Sequence, residues 1–403
     1  MTVAEQAWSL ALGGLPVSEG LRMRDTAEVR FFPGADPARF EKLCGINDLD
    51  AFLASDGART PRVGLADSRR DGGAGLPFAD YSAGENERID LPRVFALYDA
   101  GATIVLTHMH EILGPLARFC RGLEQIFLHP VQCNIYLTPP GAQGFHVHFD
   151  THDVLILQVE GEKLWRTWPT PAVPFANERT PWEGRSNPDE KPSGQMLHPG
   201  DVLYVPRGTL HDAASQGAQS SLHLTIGLLS HSWGDALRAA LDLMEGQEPA
   251  LRQAFPTWRL AEGGISNELV QEAAKRSSRL GTANAMELVS QKLLATLAAE
   301  QMPMMSRGVI APVVSAADRV DLSDTAHQFV TPRPDGSAEL RWAGGTLTLS
   351  AEEFDWIARI SEGATAGELG GPAALAFCQK LASHGLVTVQ PARDEGGRVS
   401  ARV

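Results

Sequence analysis

The chain has 403 residues, 43% hydrophobic and 21% charged, the balance of a soluble globular protein rather than a disordered or fibrous one. No apolar run approaches the ~20 residues that span a bilayer, and the start MTVAEQAWSLALGGLP lacks the pattern of a signal peptide, so a cytoplasmic location is expected. A net charge of -14 argues against broad contact with nucleic-acid phosphates and is easier to reconcile with a basic protein or peptide partner.

In chain order, residues 1 to about 90 mix short helical patterns with Gly-, Asp- and Arg-rich stretches such as Ser68 to Gly73, which read as surface loops without assignable chemistry. From about 100 to 230 the texture becomes β-rich. The runs ATIVLTH, VQCNIYLT, DVLILQVEGEKLWRTW, DVLYVP and SLHLTIGLL are separated by Pro and Gly, which predicts an all-β barrel or sandwich. Within it, Glu160-Gly161 reads as a two-residue hairpin turn and EKLWRTW as the returning strand. Beyond Trp233, DALRAALDLM, NELVQEAAKRSSRL and NAMELVSQKLLATLAAEQM place apolar residues three and four apart, the spacing of amphipathic helices. Last come a strand-like ELRWAGGTLTLS, a helix EEFDWIARIS, two further short helices and a closing strand LVTVQ. The four cysteines, Cys44, Cys120, Cys133 and Cys378, form no CxxC pair, so neither a disulfide framework nor a thiolate zinc site is indicated.

Most of the chemistry lies in GFHVHFDTHDVLILQVEGEKLWRTWP. Residues two apart in a strand share a face, so His148 and Asp150 can present an imidazole nitrogen and a carboxylate oxygen to one point while Phe149 faces away. A third ligand is available from HPGDVLYVPRGTLHDA, where a strand from Val202 to Val205 and a turn at Pro206-Arg207-Gly208 lead to His211. Two histidines and one carboxylate make the facial triad of non-haem Fe(II) oxygenases, which leaves positions open for co-substrate and O2. A rival set pairs His146 and His148, which share parity, with Asp153 as the acid; it leaves Asp150 and Lys163 without roles. On the returning strand Lys163, Trp165 and Thr167 share one face. If that face points inward, the ammonium needs an anionic partner, and the distal carboxylate of 2-oxoglutarate would serve. The alternative is a solvent-facing lysine on an edge strand.

The motif HFDTHDVLILQVEGEKLWRTW, joined to GDVLYVPRGTLHDA and preceded by CNIYLTPPGAQGFHVHFD, resembles the JmjC-type oxygenases of the cupin superfamily, specifically the ribosomal oxygenases. The resemblance runs from about residue 95 to the end. It implies an α+β chain: a double-stranded β-helix (jelly-roll) catalytic domain with an N-terminal extension over 1–235, a helical dimerisation module over 236–305, and a winged-helix-like domain over 306–403. It assigns iron to His148, Asp150 and His211, and the salt bridge to the 2-oxoglutarate C5 carboxylate to Lys163. It places Asn134 and Tyr136 near co-substrate and substrate, and gives Thr225 a hydrogen bond to the co-substrate. No catalytic group beyond the metal centre is implied. Gly227 departs from relatives that carry a hydroxyl residue there. The implied activity is Fe(II)- and 2-oxoglutarate-dependent hydroxylation of a side chain in a protein or peptide, by a homodimer. Two other readings are a metal-dependent cupin dioxygenase or isomerase working without 2-oxoglutarate, and a ligand-sensing winged-helix regulator.

Overall fold

The computed structural model describes residues 3–70, 75–84, 86–180, 190–258, 266–278, 313–323, 328–333, 335–342 and 345–392. The chain divides into two compact units, Met1–Ser230 and His231–Val403.

Among the described residues the first unit has ten strands: β1 (Arg30–Phe32), β2 (Val63–Ala66), β3 (Thr103–Leu106), β4 (Val131–Thr138), β5 (Asp153–Glu160), β6 (Glu162–Thr167), β7 (Ser193–Leu197), β8 (Val202–Val205), β9 (His211–Gln216) and β10 (Ser221–Leu228). They form a seven-stranded sheet of order β1-β8-β5-β10-β4-β3-β2 and a three-stranded sheet of order β7-β6-β9, all pairings antiparallel. From β5 the chain passes to the small sheet for β6 and β7, returns to the large one for β8, crosses to the small one for β9 and comes back for β10, the to-and-fro topology of a double-stranded β-helix. The five β-rich runs of the sequence fall on β3, β4, β5 with β6, β8 and β10.

Glu160-Gly161 is not a hairpin. β5 pairs with β8 and β10, and β6 pairs with β7 and β9, so this turn carries the chain from the large sheet to the small one. Gly161 sits at φ +64°, and a Cβ there would fall 2.1 Å from the carbonyl oxygen of Ser220. The crossing therefore needs a residue without a side chain.

β5 is buried along almost its whole length, which is why its sequence is a continuous apolar run rather than an alternation. Leu155, Leu157 and Val159 face the main core, shared with the helices Val3–Leu12 and Gly114–Phe127; Val154 and Ile156 face the barrel interior with Trp165, Leu197 and Leu203. The helix Gly114–Phe127 interrupts a stretch that the sequence presents as β-rich. It buries Leu116, Phe119, Cys120, Leu123 and Phe127 on its inward side.

In the second unit, the helix Trp233–Gln247 begins at a capping box, with Asp235 N donating to Ser232 Oγ and Ser232 N to Asp235 Oδ2. The helix Asn267–Ser277 follows, capped by Ser266. The predicted segment 284–302 lies outside the described residues. Further on, β11 (Arg319–Leu322) pairs with β15 (Val387–Gln390), and β12 (Gln328–Pro332), β13 (Ala338–Trp342) and β14 (Gly345–Leu349) form a second small sheet. ELRWAGGTLTLS is thus a hairpin rather than one strand. The helix Ala351–Ser361 is followed by one described helix, Gly371–Ser383, where two were expected. Val320, Leu340, Trp356, Ile360, Phe377 and Leu381 belong to a core of its own.

Candidate active site

His148 reaches the site from a loop rather than a strand. It is held by an isolated bridge to the start of β9: His148 N donates to His211 O at 3.1 Å and His211 N to His148 O at 2.8 Å. The alternation expected for a strand survives locally, because Phe149 turns away into a pocket of Trp168, Ala176 and Leu210. The turn before His211 is anchored by Gly208 N donating to Asp150 O at 2.9 Å. Gly208 has φ +82°, and a Cβ there would come within 1.7 Å of Val173 O.

His148, Asp150 and His211 each offer a ligand atom, all within 4.8 Å of one another. His211 Nε2 lies 3.7 Å from Asp150 Oδ2. Each imidazole turns Nδ1 to a backbone carbonyl, His148 to His146 O at 2.7 Å and His211 to Thr209 O at 3.0 Å. A carbonyl only accepts, so Nδ1 carries the proton in both rings and Nε2 keeps a lone pair for a metal. Burial, reinforced by the neighbouring His148, pushes the His211 pKa down and favours the neutral, ligating form. The donor set suits a borderline divalent metal such as Fe(II). The rival set fails because Asp153 points elsewhere: it accepts from Arg24 Nε at 3.4 Å, Ser230 Oγ at 3.2 Å and Arg207 N at 3.1 Å. His146 is exposed.

The triad opens on a cavity lined among others by Tyr136, Phe145, Ile156, Lys163, Trp165, His223 and Thr225. Lys163 is buried, as its face of β6 predicts, at 3% exposure. Its Nζ donates to Thr138 Oγ1 at 2.9 Å and lies 3.4 Å from His223 Nδ1. No carboxylate partners it among the described residues, and burial pushes its pKa down to about 7. Trp165, on the same face, has its indole Nε1 buried with no hydrogen-bond partner among them. An unpaired buried cation beside an unused buried donor is costly, and a carboxylate entering the cavity would relieve it.

Tyr136 and Thr225 both line the cavity. Asn134 stands behind them: its side chain hydrogen-bonds Tyr136, and its Oδ1 accepts from His108 N at 2.9 Å, bracing the loop beyond β3, where His108 has φ +53°. His223 is the residue that the sequence reading passed over. It is 2% exposed, stacked on Tyr136 with ring centroids 4.9 Å apart and planes 4° from parallel, and edge-on to Trp165. Its parity with Thr225 on β10 was the available signal. Burial, then the adjacent Lys163 charge, drive its pKa well down.

Residues 107–236 match the family model described as JmjC domain. This region is similar to a JmjC domain. Curated relatives include Ribosomal oxygenase 1 of Homo sapiens, 32% identical over 218 residues and matching 52% of this chain and 32% of its own length. Another is the bifunctional lysine-specific demethylase and histidyl-hydroxylase NO66 of Drosophila willistoni, 35% identical over 168 residues and matching 40% of this chain and 21% of its own length. The chain thus spans about a third or less of the length of these relatives. Among solved structures, that of YcfD from Escherichia coli superposes with a TM-score of 0.55 at 14% identity, covering 93% of this chain and 98% of its own. A structure of the same protein in complex with cobalt and 2-oxoglutarate gives 0.52 at 15% identity, covering 90% and 94%. The triad lies wholly inside the matched segment, as do Lys163, Tyr136, His223 and Thr225.

Proposed function

We propose that this chain is an Fe(II)- and 2-oxoglutarate-dependent oxygenase that hydroxylates an amino-acid side chain in a ribosomal-protein-like or peptide substrate. The observation that carries the reading is Lys163: a buried ammonium, without a carboxylate partner among the described residues, at the wall of the cavity that the His148, Asp150 and His211 donor atoms face.

Iron held by the triad, with 2-oxoglutarate and O2, supplies the oxidation that turns 2-oxoglutarate into succinate and CO2 and a C–H group into C–OH. The protein's part is positional. Lys163, with Thr138 behind it, takes the distal carboxylate; Thr225 offers a hydroxyl along the co-substrate; Tyr136 and Trp165 close the sides and limit water. The net charge of -14 supports attraction of a basic substrate segment.

The relatives named ribosomal oxygenase and histidyl-hydroxylase support a polypeptide substrate. The test is mass spectrometry of ribosomal-protein and peptide substrates incubated with Fe(II) and 2-oxoglutarate. Gain of one oxygen that disappears without 2-oxoglutarate is expected; turnover of a small molecule independent of 2-oxoglutarate would favour the cupin dioxygenase or isomerase reading instead.

The second unit fits a helical dimerisation module followed by a winged-helix-like domain. Trp233, Leu237 and Leu241 recur four apart on one helix, 79%, 43% and 42% exposed in the single chain, the kind of apolar stripe that a second copy would cover. The helix Gly371–Ser383 turns Ala374, Phe377, Cys378 and Leu381 into its own core, as a packing module does, and we assign it no nucleic-acid contact. Among the described residues no helix is long and apolar enough to cross a membrane. Four cysteines, all buried and free, accord with a reducing cytoplasm.

A further inference from the structure

The cavity-facing rows of the large sheet run outward from Lys163 in three steps. His223 of β10 lies opposite Tyr136 of β4, Thr225 opposite Asn134 and Ile156, and Gly227 opposite Gln132 and Val154. Since His223, Thr225, Ile156 and Val154 all line the cavity, strand alternation turns the missing Gly227 side chain to the same side.

That missing side chain leaves a notch, and the notch is filled. A Cβ on Gly227 would meet the His152 ring at 2.7 Å (Cδ2) and 2.8 Å (Nε2), and Gln132 Cγ at 3.0 Å. The ring of His152 therefore rests on the bare backbone of β10, two residues beyond the ligand Asp150. On the other side of Gln132, its Oε1 lies 3.1 Å from His108 Nε2. Asn134 holds the His108 backbone in its left-handed conformation, one that a non-glycine residue adopts only when its surroundings enforce it.

We infer that His152 is a specificity-determining residue: seated over Gly227 and continued by Gln132 and His108, it walls the outer end of the cavity and admits a short, uncharged, hydrogen-bonding side chain. This deepens the oxygenase reading and rests on it. The chemistry of the wall argues for the class. Imidazole and amide groups donate and accept hydrogen bonds, Asp150 is the only carboxylate lining the cavity among the described residues, and Glu111, whose charge reaches His108, is already paired with Arg62 at 2.9 Å. Imidazoles become cations, never anions, so a guanidinium or ammonium entering here meets no counter-charge, while an amide or imidazole can be bonded at both edges. The ring also takes up the volume that a longer side chain would need.

The experiment compares the wild type with His152→Ala and with Gly227→Ser, which drives the ring out of the notch. The substrates are twenty peptides that differ only at one central residue in a basic host sequence. Succinate formed from 2-oxoglutarate and oxygen gained by each peptide are read separately. The wild type is expected to oxidise peptides with central Asn, Gln or His at least about tenfold faster than those with Arg or Lys, a transition-state difference of about 1.4 kcal/mol or more. Both variants are expected to shrink that ratio at least about fivefold. An unchanged ratio in both variants overturns the inference. So does a uniform fall across all twenty peptides, the mark of general damage, or a wild type that makes succinate yet oxidises none of them or prefers Arg or Lys. Absence of succinate from the wild type instead sinks the oxygenase reading itself.

Discussion

At the scale of the residue, burial of Lys163 sets a definite pH behaviour. Its folded-state pKa lies near 7 against an ordinary value of 10.5. Between those values the unfolded chain binds more protons than the folded one, so this residue's contribution to stability rises with pH across that window and is least favourable below 7. Lys163→Met is accordingly expected to raise the melting temperature of the ligand-free protein at pH 6 to 7, measured by calorimetry. The same substitution should raise the KM for 2-oxoglutarate about 30- to 100-fold, the loss of one buried charge-assisted bond. If Lys163 takes the distal carboxylate as proposed, binding needs the protonated lysine. Apparent affinity for 2-oxoglutarate should therefore weaken above pH 7, by up to about tenfold per unit, with proton uptake on binding. Affinity independent of pH from 6 to 9 would remove Lys163 from the co-substrate site.

Residue-level chemistry was readable where it follows a fixed period. His148 and Asp150 stand two apart, and Lys163 and Trp165 share parity on one strand, so both pairs could be placed without knowing their partners. For His223 the same parity, with Thr225, gives only the face it shares and not what it touches. Its role comes from β10 lying beside β4, which sets its ring on Tyr136 and near Lys163, and a pairing between strands over eighty residues apart leaves no local mark. Asn134 has the parity of Tyr136 and hydrogen-bonds its side chain, while its Oδ1 also accepts from His108 N, a second contact that parity does not announce.

At the scale of the element, the crossing at Gly161 is the instructive miss. Glu160-Gly161 between two apolar strands has the local signature of a hairpin, yet β5 and β6 each find better-matched partners elsewhere and the turn becomes a passage between sheets. Local chemistry specified a tight turn with a positive φ; which sheet the next strand joins was decided by non-local pairing. Gly161→Ala should cost at least about 2 kcal/mol, combining left-handed backbone strain with a clash against the Ser220 carbonyl. Gly141→Ala is its control, because φ is also positive, +68°, but nothing lies within 4 Å of the added Cβ; about 1 kcal/mol is expected there. Equal losses in urea unfolding would show that the crossing is not sterically enforced. Within the small sheet a side-chain clamp adds to the backbone pairing: Arg166 of β6 grips Asp212 of β9 with contacts of 2.6 and 2.5 Å. That clamp joins the strand carrying Lys163 to the strand that begins at His211.

At the scale of the whole molecule, the strand runs between 100 and 230 were legible because punctuated β-segments in that number have few ways to bury both faces, and a double-stranded β-helix is one of them. The helical onset after Trp233 was legible from its period, with the Ser232–Asp235 capping box marking its first turn. Less was readable in the last hundred residues, where the division of ELRWAGGTLTLS into β13 and β14 was hidden by β-propensity in both halves. If the stripe of Trp233, Leu237 and Leu241 joins two copies, Leu237→Glu with Leu241→Glu should convert a dimer to a monomer in light scattering while leaving the far-ultraviolet circular dichroism unchanged. A wild-type chain already monomeric at micromolar concentration would rule that assembly out.

The central claim is that iron at the triad and 2-oxoglutarate at Lys163 work in one cavity. It is tested most directly by measuring succinate from 2-oxoglutarate with purified protein, comparing the wild type with His211→Ala and Lys163→Met. Succinate formation that requires added Fe(II), vanishes in His211→Ala and returns in Lys163→Met only at much higher 2-oxoglutarate is the predicted result. Succinate formation by the wild type that needs no Fe(II), or that both variants match at low 2-oxoglutarate, would contradict it.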